Sequence, residues 1–170
     1  DYIVPAGVGT RADGKRYYQS GYGGQYKGLA SEAACEAQCM DNAAMYTQWV
    51  ETEVRYEQYR MEDAEYVIFA YGSAGRICLD AVDLLREQGI KAGMFRPITL
   101  FPFPEKEIAA LKNLKGALTV EMAMPEMFGR DVKLFLDRSI PAKSYIRCGG
   151  NMVEPEAAAA AVLEMAGGKR

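Results

Sequence analysis

The segment Tyr66-Val67-Ile68-Phe69-Ala70-Tyr71-Gly72 decides the fold of this chain. It carries no charged residue, and a short apolar run that ends at a glycine is typical of a strand that is buried on both faces. Such a strand belongs to a parallel sheet that lies between two layers of helices. We therefore expect an α/β domain in which residues 66–71 form the central strand.

Further strands and helices alternate downstream of this segment. Strands are predicted at residues 90–95, 117–122 and 144–147. Helices are predicted from Ala74 to Gly89, from Pro104 to Gly116, over the apolar stripe 128–136 and from Pro155 to Met165. This alternation predicts a mainly parallel sheet that is covered on both faces and connected by right-handed crossovers.

The residues before the sheet divide by composition. Residues 1–28 hold seven of the 17 glycines and five of the 11 tyrosines, which predicts an irregular arm whose tyrosines pack on a neighbouring domain or subunit. Ser31 is the predicted N-cap of a helix of about 20 to 30 residues, or of two helices with a soft joint, that runs to about Arg60. We expect an arm over 1–28, a helical linker over 29–62 and the α/β domain over 63–170.

Composition excludes several classes of function. The chain has 170 residues, of which 49% are hydrophobic, and a net charge of −3 that offers no basic surface to a nucleic acid. It has no histidine, so imidazole bases and His-ligated metals are absent. Its four cysteines form no Cys-x-x-Cys pair, and Cys35 and Cys39 fit one helix face as small apolar residues.

The sequence offers no targeting feature that we can recognise. No apolar stretch is long enough to span a membrane, and from the opening at Asp1, without an initiator Met, we expect no signal peptide. We expect a fragment of a longer cytoplasmic protein.

Two segments resemble the chemistry-bearing parts of α/β enzymes. Gly72-Ser73-Ala74-Gly75 lies at the first strand-to-helix turn, where dinucleotide folds bind phosphate, but it lacks the full glycine fingerprint. A tight turn with Ser73 as N-cap is the favoured interpretation. Glu121 closes the third strand at the carboxyl edge of the sheet and is a base, a ligand, or a partner of the following loop or of another subunit; catalysis is the less favoured reading.

A stiff apolar connection follows the second strand. The segment Arg96-Pro97-Ile98-Thr99-Leu100-Phe101-Pro102-Phe103-Pro104 contains three prolines, and each proline restricts its own backbone and that of the preceding residue. Its apolar side chains predict packing inside the domain or against a partner. Gly149-Gly150 predicts a permissive turn without chemistry of its own.

Several segments together resemble one enzyme family. The segment Arg96–Pro104 is the most specific of them. The others are Glu53-Val54-Arg55-Tyr56-Glu57, Asp63-Ala64-Glu65, Ala70-Tyr71-Gly72-Ser73, Gln88–Gly93, Glu121-Met122, Asp131–Leu134, Arg147 with Gly149-Gly150, and Pro155-Glu156. Over residues 42–170 the chain resembles the C-terminal domain of the 2-oxoacid:ferredoxin oxidoreductase alpha subunit, most of all the branched-chain 2-oxoisovalerate subfamily. Residues 125–129 carry about one more residue than the turn usual in that family, and the first 41 residues match no known pattern.

The resemblance implies an open three-layer α/β fold like the last domain of transketolase, often with one antiparallel strand. In that family the complex oxidatively decarboxylates a 2-oxo acid on thiamine diphosphate, with magnesium, coenzyme A, iron–sulfur clusters and ferredoxin. The thiamine-binding segments belong to another domain and to the beta subunit. We expect a non-catalytic assembly domain that has no catalytic, cofactor-binding or metal-binding residues and that is inactive alone. Its expected partners are the other subunits, and ferredoxin through the complex.

Two alternatives stay open at this point. The chain is a free-standing nucleotide- or flavin-binding module of doubly wound fold, for which ordered phosphate at Gly72–Gly75 would be diagnostic, or it is the C-terminal domain of another transketolase-type thiamine enzyme.

Overall fold

A computed structural model describes residues 32–167 of the chain. The chain divides into two compact units, Asp1–Gln48 and Trp49–Arg170. The predicted arm over residues 1–28 and the predicted N-cap Ser31 lie outside the described residues.

Five helices and five strands make up the described part. The helices are α1 Glu32–Thr52, α2 Gly72–Glu87, α3 Glu105–Ala109, α4 Phe128–Phe135 and α5 Pro155–Met165. The strands are β1 Tyr56–Tyr59, β2 Tyr66–Ala70, β3 Ala92–Pro97, β4 Gly116–Glu121 and β5 Ala142–Ile146.

The five strands form one sheet in the order β1-β3-β2-β4-β5. The central strand β2 runs parallel to β3, with Tyr66 opposite Ala92, and parallel to β4, with Tyr66 opposite Gly116. β5 continues the parallel set beyond β4, and only β1 is antiparallel to its neighbour. The predicted central position of residues 66–71 and the parallel arrangement of the four predicted strands are confirmed.

Two apolar clusters cover the two faces of the sheet. Ile68 and Ala70 of β2 pack with residues of α2 and α5, among them Leu85 and Val162. On the other face, Val67 and Phe69 pack with residues of α3 and α4, such as Ile108, Phe128 and Val132. Since successive strand residues point to opposite faces, both helix layers are needed to remove β2 from water.

The helical prediction is wrong for residues 53–60. The helix α1 ends at Thr52, and Tyr56–Tyr59 form the edge strand β1. Tyr56 stacks on Phe95 with ring centroids 5.0 Å apart, and Glu57 pairs with Arg96 at 2.8 Å. Tertiary pairing with β3 therefore overrides the local helix propensity of this charged segment.

The predicted helix from Pro104 to Gly116 is also much shorter in the structure. α3 has five residues, and Asn113 has a left-handed backbone with φ of 60°. Leu111 and Leu114 still pack on the second apolar cluster. Two lysines that lie within the predicted helix make ion pairs outside α3, Lys112 with Asp137 at 3.1 Å and Lys115 with Glu65 at 2.5 Å.

The two leucines Leu85 and Leu134 provide a matched test of this packing. Leu85 in α2 is fully buried, whereas Leu134 in α4 is 70% exposed. We expect Leu85→Ala to lower the free energy of unfolding by about 2–5 kcal/mol because it leaves a cavity, and Leu134→Ala to change it by less than about 0.5 kcal/mol. Urea denaturation of the 170-residue chain measures both, and equal losses would contradict the arrangement.

Candidate functional site

The carboxyl ends of β3, β2, β4 and β5 lie at one edge of the sheet, because these strands are parallel. β1 begins at the same edge, with Tyr56 opposite Pro97. In open α/β sheets ligands bind at this edge. The carboxyl edge holds all the candidates that the sequence predicted: the turn at Gly72, the residue Glu121 and the segment that follows Arg96.

Glu121 is buried, and its carboxylate is used by the loop that follows it. The residue is 1% exposed. Its two oxygens accept hydrogen bonds from the backbone N–H groups of Met127 at 3.2 and 3.3 Å, Phe128 at 3.0 Å and Gly129 at 3.2 Å. The first backbone N–H groups of a helix have no acceptor within the helix, and the Glu121 carboxylate provides that acceptor for the start of α4. The interpretation of Glu121 as a partner of the following loop is confirmed.

In the Gly72–Gly75 turn the Arg96 side chain occupies the space beside Gly75, whereas the space beside Gly72 is open. Gly72 has φ of 55°, a left-handed conformation that favours glycine. A Cβ at Gly75 would lie 3.1 Å from Cδ of Arg96, so this glycine admits the arginine side chain. Ser73 lies inside α2 and Tyr71 is the N-cap without a side-chain hydrogen bond. The predicted N-cap role of Ser73 is therefore wrong, because the helix begins at Gly72, two residues before the predicted start at Ala74.

A polar cluster that sequence reasoning missed joins α4 to β5. Lys133 donates to Glu126 Oε1 at 2.7 Å and to Ser144 Oγ at 2.7 Å. Ser144 also hydrogen-bonds to Glu126, and Thr119 Oγ1 lies 2.9 Å from Ser144 Oγ. The hydrogen bond from Lys133, followed by that from Ser144, holds the pKa of Glu126 below its usual range. These four residues come from four separate segments, so no spacing in the sequence reveals them.

Gly129 makes room for this polar cluster. A Cβ on Gly129 would lie 2.7 Å from Thr119 Oγ1 and would also collide with the Glu126 carboxylate. A glycine in the first turn of α4 is therefore required sterically, although its backbone is helical. The β4–α4 loop is therefore held in two ways. The polar cluster binds the Glu126 side chain, and the Glu121 carboxylate accepts hydrogen bonds from backbone amides of residues 127–129.

The Arg96–Pro104 segment has one large apolar side chain that packs into the domain and three that are exposed. Phe103 is partly buried and contacts Phe128 and Phe135, with ring centroids 6.2 and 6.0 Å away. Ile98, Leu100 and Phe101 are 52%, 44% and 72% exposed. The predicted packing inside the domain is confirmed for Phe103, and packing against a partner stays a prediction for the exposed residues. Arg96 itself belongs to β3.

The described cysteines do not gather into a site. Cys78 is buried, and burial raises its pKa to about 12. Cys39 and Cys148 are exposed and free; exposure of Cys39 corrects its predicted place on an apolar helix face, and the Cys35 side chain lies outside the described residues. Within residues 32–167 no three His, Cys, Asp or Glu side chains form a metal-holding group. None of the helices in that range is both long and apolar enough to cross a membrane.

Comparison with known proteins identifies the relatives of this chain. Residues 64–158 match the family model described as pyruvate:ferredoxin oxidoreductase core domain II. The chain is 43% identical over 121 residues to the ketoisovalerate oxidoreductase subunit VorB of Methanothermobacter marburgensis, which covers 69% of the chain and 33% of that subunit. It is 38% identical over 80 residues to the pyruvate synthase subunit PorA of Thermotoga maritima, covering 46% of the chain and 20% of PorA.

Solved structures share the fold. The 2-oxoglutarate:ferredoxin oxidoreductase of Magnetococcus marinus, solved with 2-oxoglutarate, coenzyme A and succinyl-CoA bound, aligns with a TM-score of 0.68 and 20% identity over 96% of the chain and 27% of its own length. A split-gene transketolase, an inactive beta4 tetramer, aligns with a TM-score of 0.57 and 20% identity over 68% of the chain and 42% of its own. The expected resemblance to both enzyme folds is confirmed.

Glu121→Gln tests the buried carboxylate. A glutamine amide places N–H groups against the backbone donors of the loop, so at least one buried donor loses its acceptor. We expect a loss of about 1–3 kcal/mol in the free energy of unfolding. Glu53→Gln, at a 49% exposed side chain that pairs with Arg55 at 3.5 Å, is the control and should change stability by less than about 0.5 kcal/mol. Equal effects in urea denaturation would show that Glu121 is not bonded as described.

The thiols provide a second test. Because the thiolate is the reactive form, we expect the buried Cys78 to react with a disulfide reagent at neutral pH at least about a hundredfold more slowly than the exposed Cys148. Mass spectrometry of the labelled peptides separates the two sites, and labelling after denaturation with urea is the control. Equal labelling of both cysteines in the folded chain would contradict the burial of Cys78.

Proposed function

The chain belongs to the family of pyruvate:ferredoxin oxidoreductase core domain II, and from this membership we propose that it is a structural, assembly-supporting domain of a 2-oxoacid:ferredoxin oxidoreductase. In this proposal the complete complex oxidatively decarboxylates a branched-chain 2-oxo acid to an acyl-CoA and reduces ferredoxin. Thiamine diphosphate, magnesium, iron–sulfur clusters and coenzyme A belong to that complex. The chain contributes packing surface and no reacting group.

The proposal rests on the fraction of its relatives' length that this chain covers. The family match takes up residues 64–158, yet the chain spans only 33% and 34% of the two ketoisovalerate oxidoreductase subunits that it matches. A domain of this size in those relatives is one part of a longer polypeptide. We therefore assign the oxidative decarboxylation to the complete complex and not to this chain.

Two candidate positions at the carboxyl edge are already engaged by the protein itself. Glu121 is the buried carboxylate at the carboxyl edge, and three backbone N–H groups already occupy its oxygens. The Arg96 side chain fills the space beside Gly75, where a dinucleotide fold admits phosphate. We therefore derive no catalytic step in which these residues act on thiamine diphosphate or a nucleotide. The same packing argues against the free-standing nucleotide- or flavin-binding module.

The substrate class is inferred from the relatives. Identity is 43% over 121 residues and 38% over 125 residues to two ketoisovalerate oxidoreductase subunits. Other relatives match shorter stretches, such as 32% over 105 residues for the 2-oxoglutarate synthase subunit KorA of Methanothermobacter thermautotrophicus and 38% over 80 residues for PorA of Thermotoga maritima. The longer matches to the ketoisovalerate enzymes support a branched-chain 2-oxo acid. They also support the oxidoreductase over another transketolase-type enzyme. Ferredoxin as electron acceptor and a cytoplasmic location follow from the family resemblance and form part of the proposal.

The proposal predicts that the chain is inactive by itself. We expect no dye reduction with branched-chain 2-oxo acids, and calorimetry with thiamine diphosphate, magnesium and coenzyme A should detect no micromolar binding. Activity should appear once the remaining parts of the oxidoreductase are added. Turnover by the purified chain above the blank, or micromolar binding of one of these cofactors, would refute a purely structural role. The positive control is the complete oxidoreductase under the same conditions.

A further inference from the structure

We propose that a pocket between the end of α4 and the start of β5 binds a short aliphatic carboxylate. We call it the α4–β5 pocket. It has a volume of about 180 Å³ and is lined by Lys133, Leu136, Asp137, Arg138, Ile140 and Ala142. The inference goes beyond the proposed function and does not depend on it, because it concerns a small ligand of this chain and no step of the oxidative decarboxylation.

The α4–β5 pocket lies at the amino edge of the sheet, opposite the candidates at the carboxyl edge. β5 begins at Ala142 and runs parallel to β4, which begins at Gly116. The residues that lead from α4 to Ala142 therefore belong to the edge at which the parallel strands start. A ligand at this edge is separated from Glu121 by the length of β4.

The connection that forms the pocket is ordered without a ligand. The Leu136 N–H donates to the Val132 carbonyl at 2.9 Å, and the Ile140 N–H donates to the Asp137 carbonyl at 3.0 Å. A site that is already ordered loses little conformational entropy when it binds a small molecule. The pocket is therefore a preformed feature of the fold.

One wall of the pocket is aliphatic. Leu136 and Ile140 are 4% and 6% exposed and belong to the second apolar cluster, on which Ala142 also packs. These three side chains have no polar atom, so they favour an aliphatic group of the ligand. An apolar cavity of about 150 Å³ accommodates a benzene molecule, and the α4–β5 pocket therefore admits a ligand of about six non-hydrogen atoms.

The rim of the pocket carries one positive charge that the protein does not compensate. Lys133 pairs with Glu126 at 2.7 Å, and Asp137 pairs with Lys112 at 3.1 Å. Arg138 is exposed, and in the described part of the chain its guanidinium has no ion pair or hydrogen bond. A single uncompensated cation matches a monoanion, and a guanidinium binds a carboxylate through two parallel N–H groups.

Lys133 offers a second donor to the same ligand. It lies in the last turn of α4, where a cation offsets the negative end of the helix dipole. Its ammonium has three N–H groups, of which Glu126 and Ser144 accept two, at 2.7 Å each. One N–H group is therefore left for the pocket.

Asp137 is the acidic group of the lining, and its carboxylate is already occupied. It accepts hydrogen bonds from the Ser139 amide at 3.0 Å, from the Ser139 hydroxyl at 2.8 Å and from Lys112 Nζ at 3.1 Å. These donors reduce its repulsion of an anion, whereas a cationic ligand would compete with them and would be repelled by Arg138. Charge and size together therefore select a short aliphatic monocarboxylate.

Titration of the purified 170-residue chain, followed by NMR of the backbone amides, tests the pocket. The probe is sodium isobutyrate at constant ionic strength. Isobutyramide has the same shape without the charge, and acetate keeps the charge without the branched chain. We expect saturable shifts of the amides of residues 136–142 with a Kd on the order of 1 mM, as suits a ligand of this size. Binding of isobutyramide and of acetate should be at least tenfold weaker.

Two variants with matched controls test the lining residues. Arg138→Gln should raise the Kd for isobutyrate at least tenfold, whereas Arg76→Gln, at an exposed arginine of α2, should leave it unchanged. Ala142→Leu adds volume to the wall of the pocket and should also raise the Kd at least tenfold, whereas Ala109→Leu, at an exposed position of α3, should not. Thermal midpoints close to that of the unchanged chain show that a variant is folded, and Arg138→Gln decides if Ala142→Leu does not fold.

Four outcomes would overturn the inference. Equal binding of isobutyramide would remove the carboxylate from the ligand class, and equal binding of acetate would remove the aliphatic group. An unchanged Kd in Arg138→Gln, or the lack of saturable shifts in residues 136–142 at concentrations well above the expected Kd, would show that the ligand does not bind in this pocket. None of these results bears on the assembly role, which depends on activity after the other parts of the oxidoreductase are added.

Discussion

The burial of four consecutive residues of β2 on both faces of the sheet is the constraint on which the rest of the structure depends. Its residues Val67, Ile68, Phe69 and Ala70 are 0% exposed. Because side chains alternate along a strand, one helix layer cannot cover them. Two apolar clusters, one with α2 and α5 and the other with α3 and α4, therefore enclose the sheet. The parallel neighbours β3 and β4 follow, and with them the alignment of all carboxyl ends at one edge.

At that edge the domain uses charged groups for structure where other α/β proteins use them for chemistry. Glu121 neutralises backbone donors, Lys133 ties Glu126 to Ser144, and Arg96 covers Gly75 while it pairs with Glu57. Each of these groups is already bonded within the protein, and breaking such a bond to bind a ligand would cost free energy. The ordering of these loops, together with their exposed apolar residues, suits a permanent interface better than a reactive cleft.

Family membership and the exposed apolar residues are separate observations, and both support an assembly role for this domain. The family match concerns residues 64–158 and says nothing of exposure, whereas the placement of Phe101 and Met124 comes from the packing of the sheet. The exposed apolar residues offer area that suits contact with a partner. In the proposed complex the other parts of the enzyme bring the cofactors.

The sequence by itself determined the α/β class, the four parallel strands and the central place of residues 66–71, because apolar runs and turn residues are local signals. It placed Glu121 at the carboxyl edge but left its role open, and only the structure shows that its carboxylate accepts hydrogen bonds from the following loop. The sequence did not determine β1, the short α3, the helix start before Ser73, or the cluster of Thr119, Glu126, Lys133 and Ser144. Those features arise from contacts between distant segments. Tyr56–Tyr59 become a strand because β3 offers an open edge, and Lys133 meets Ser144 because α4 packs on β4, which is paired with β5. Only tertiary packing decides such pairings, since its free energy exceeds the weak propensities that the sequence displays locally.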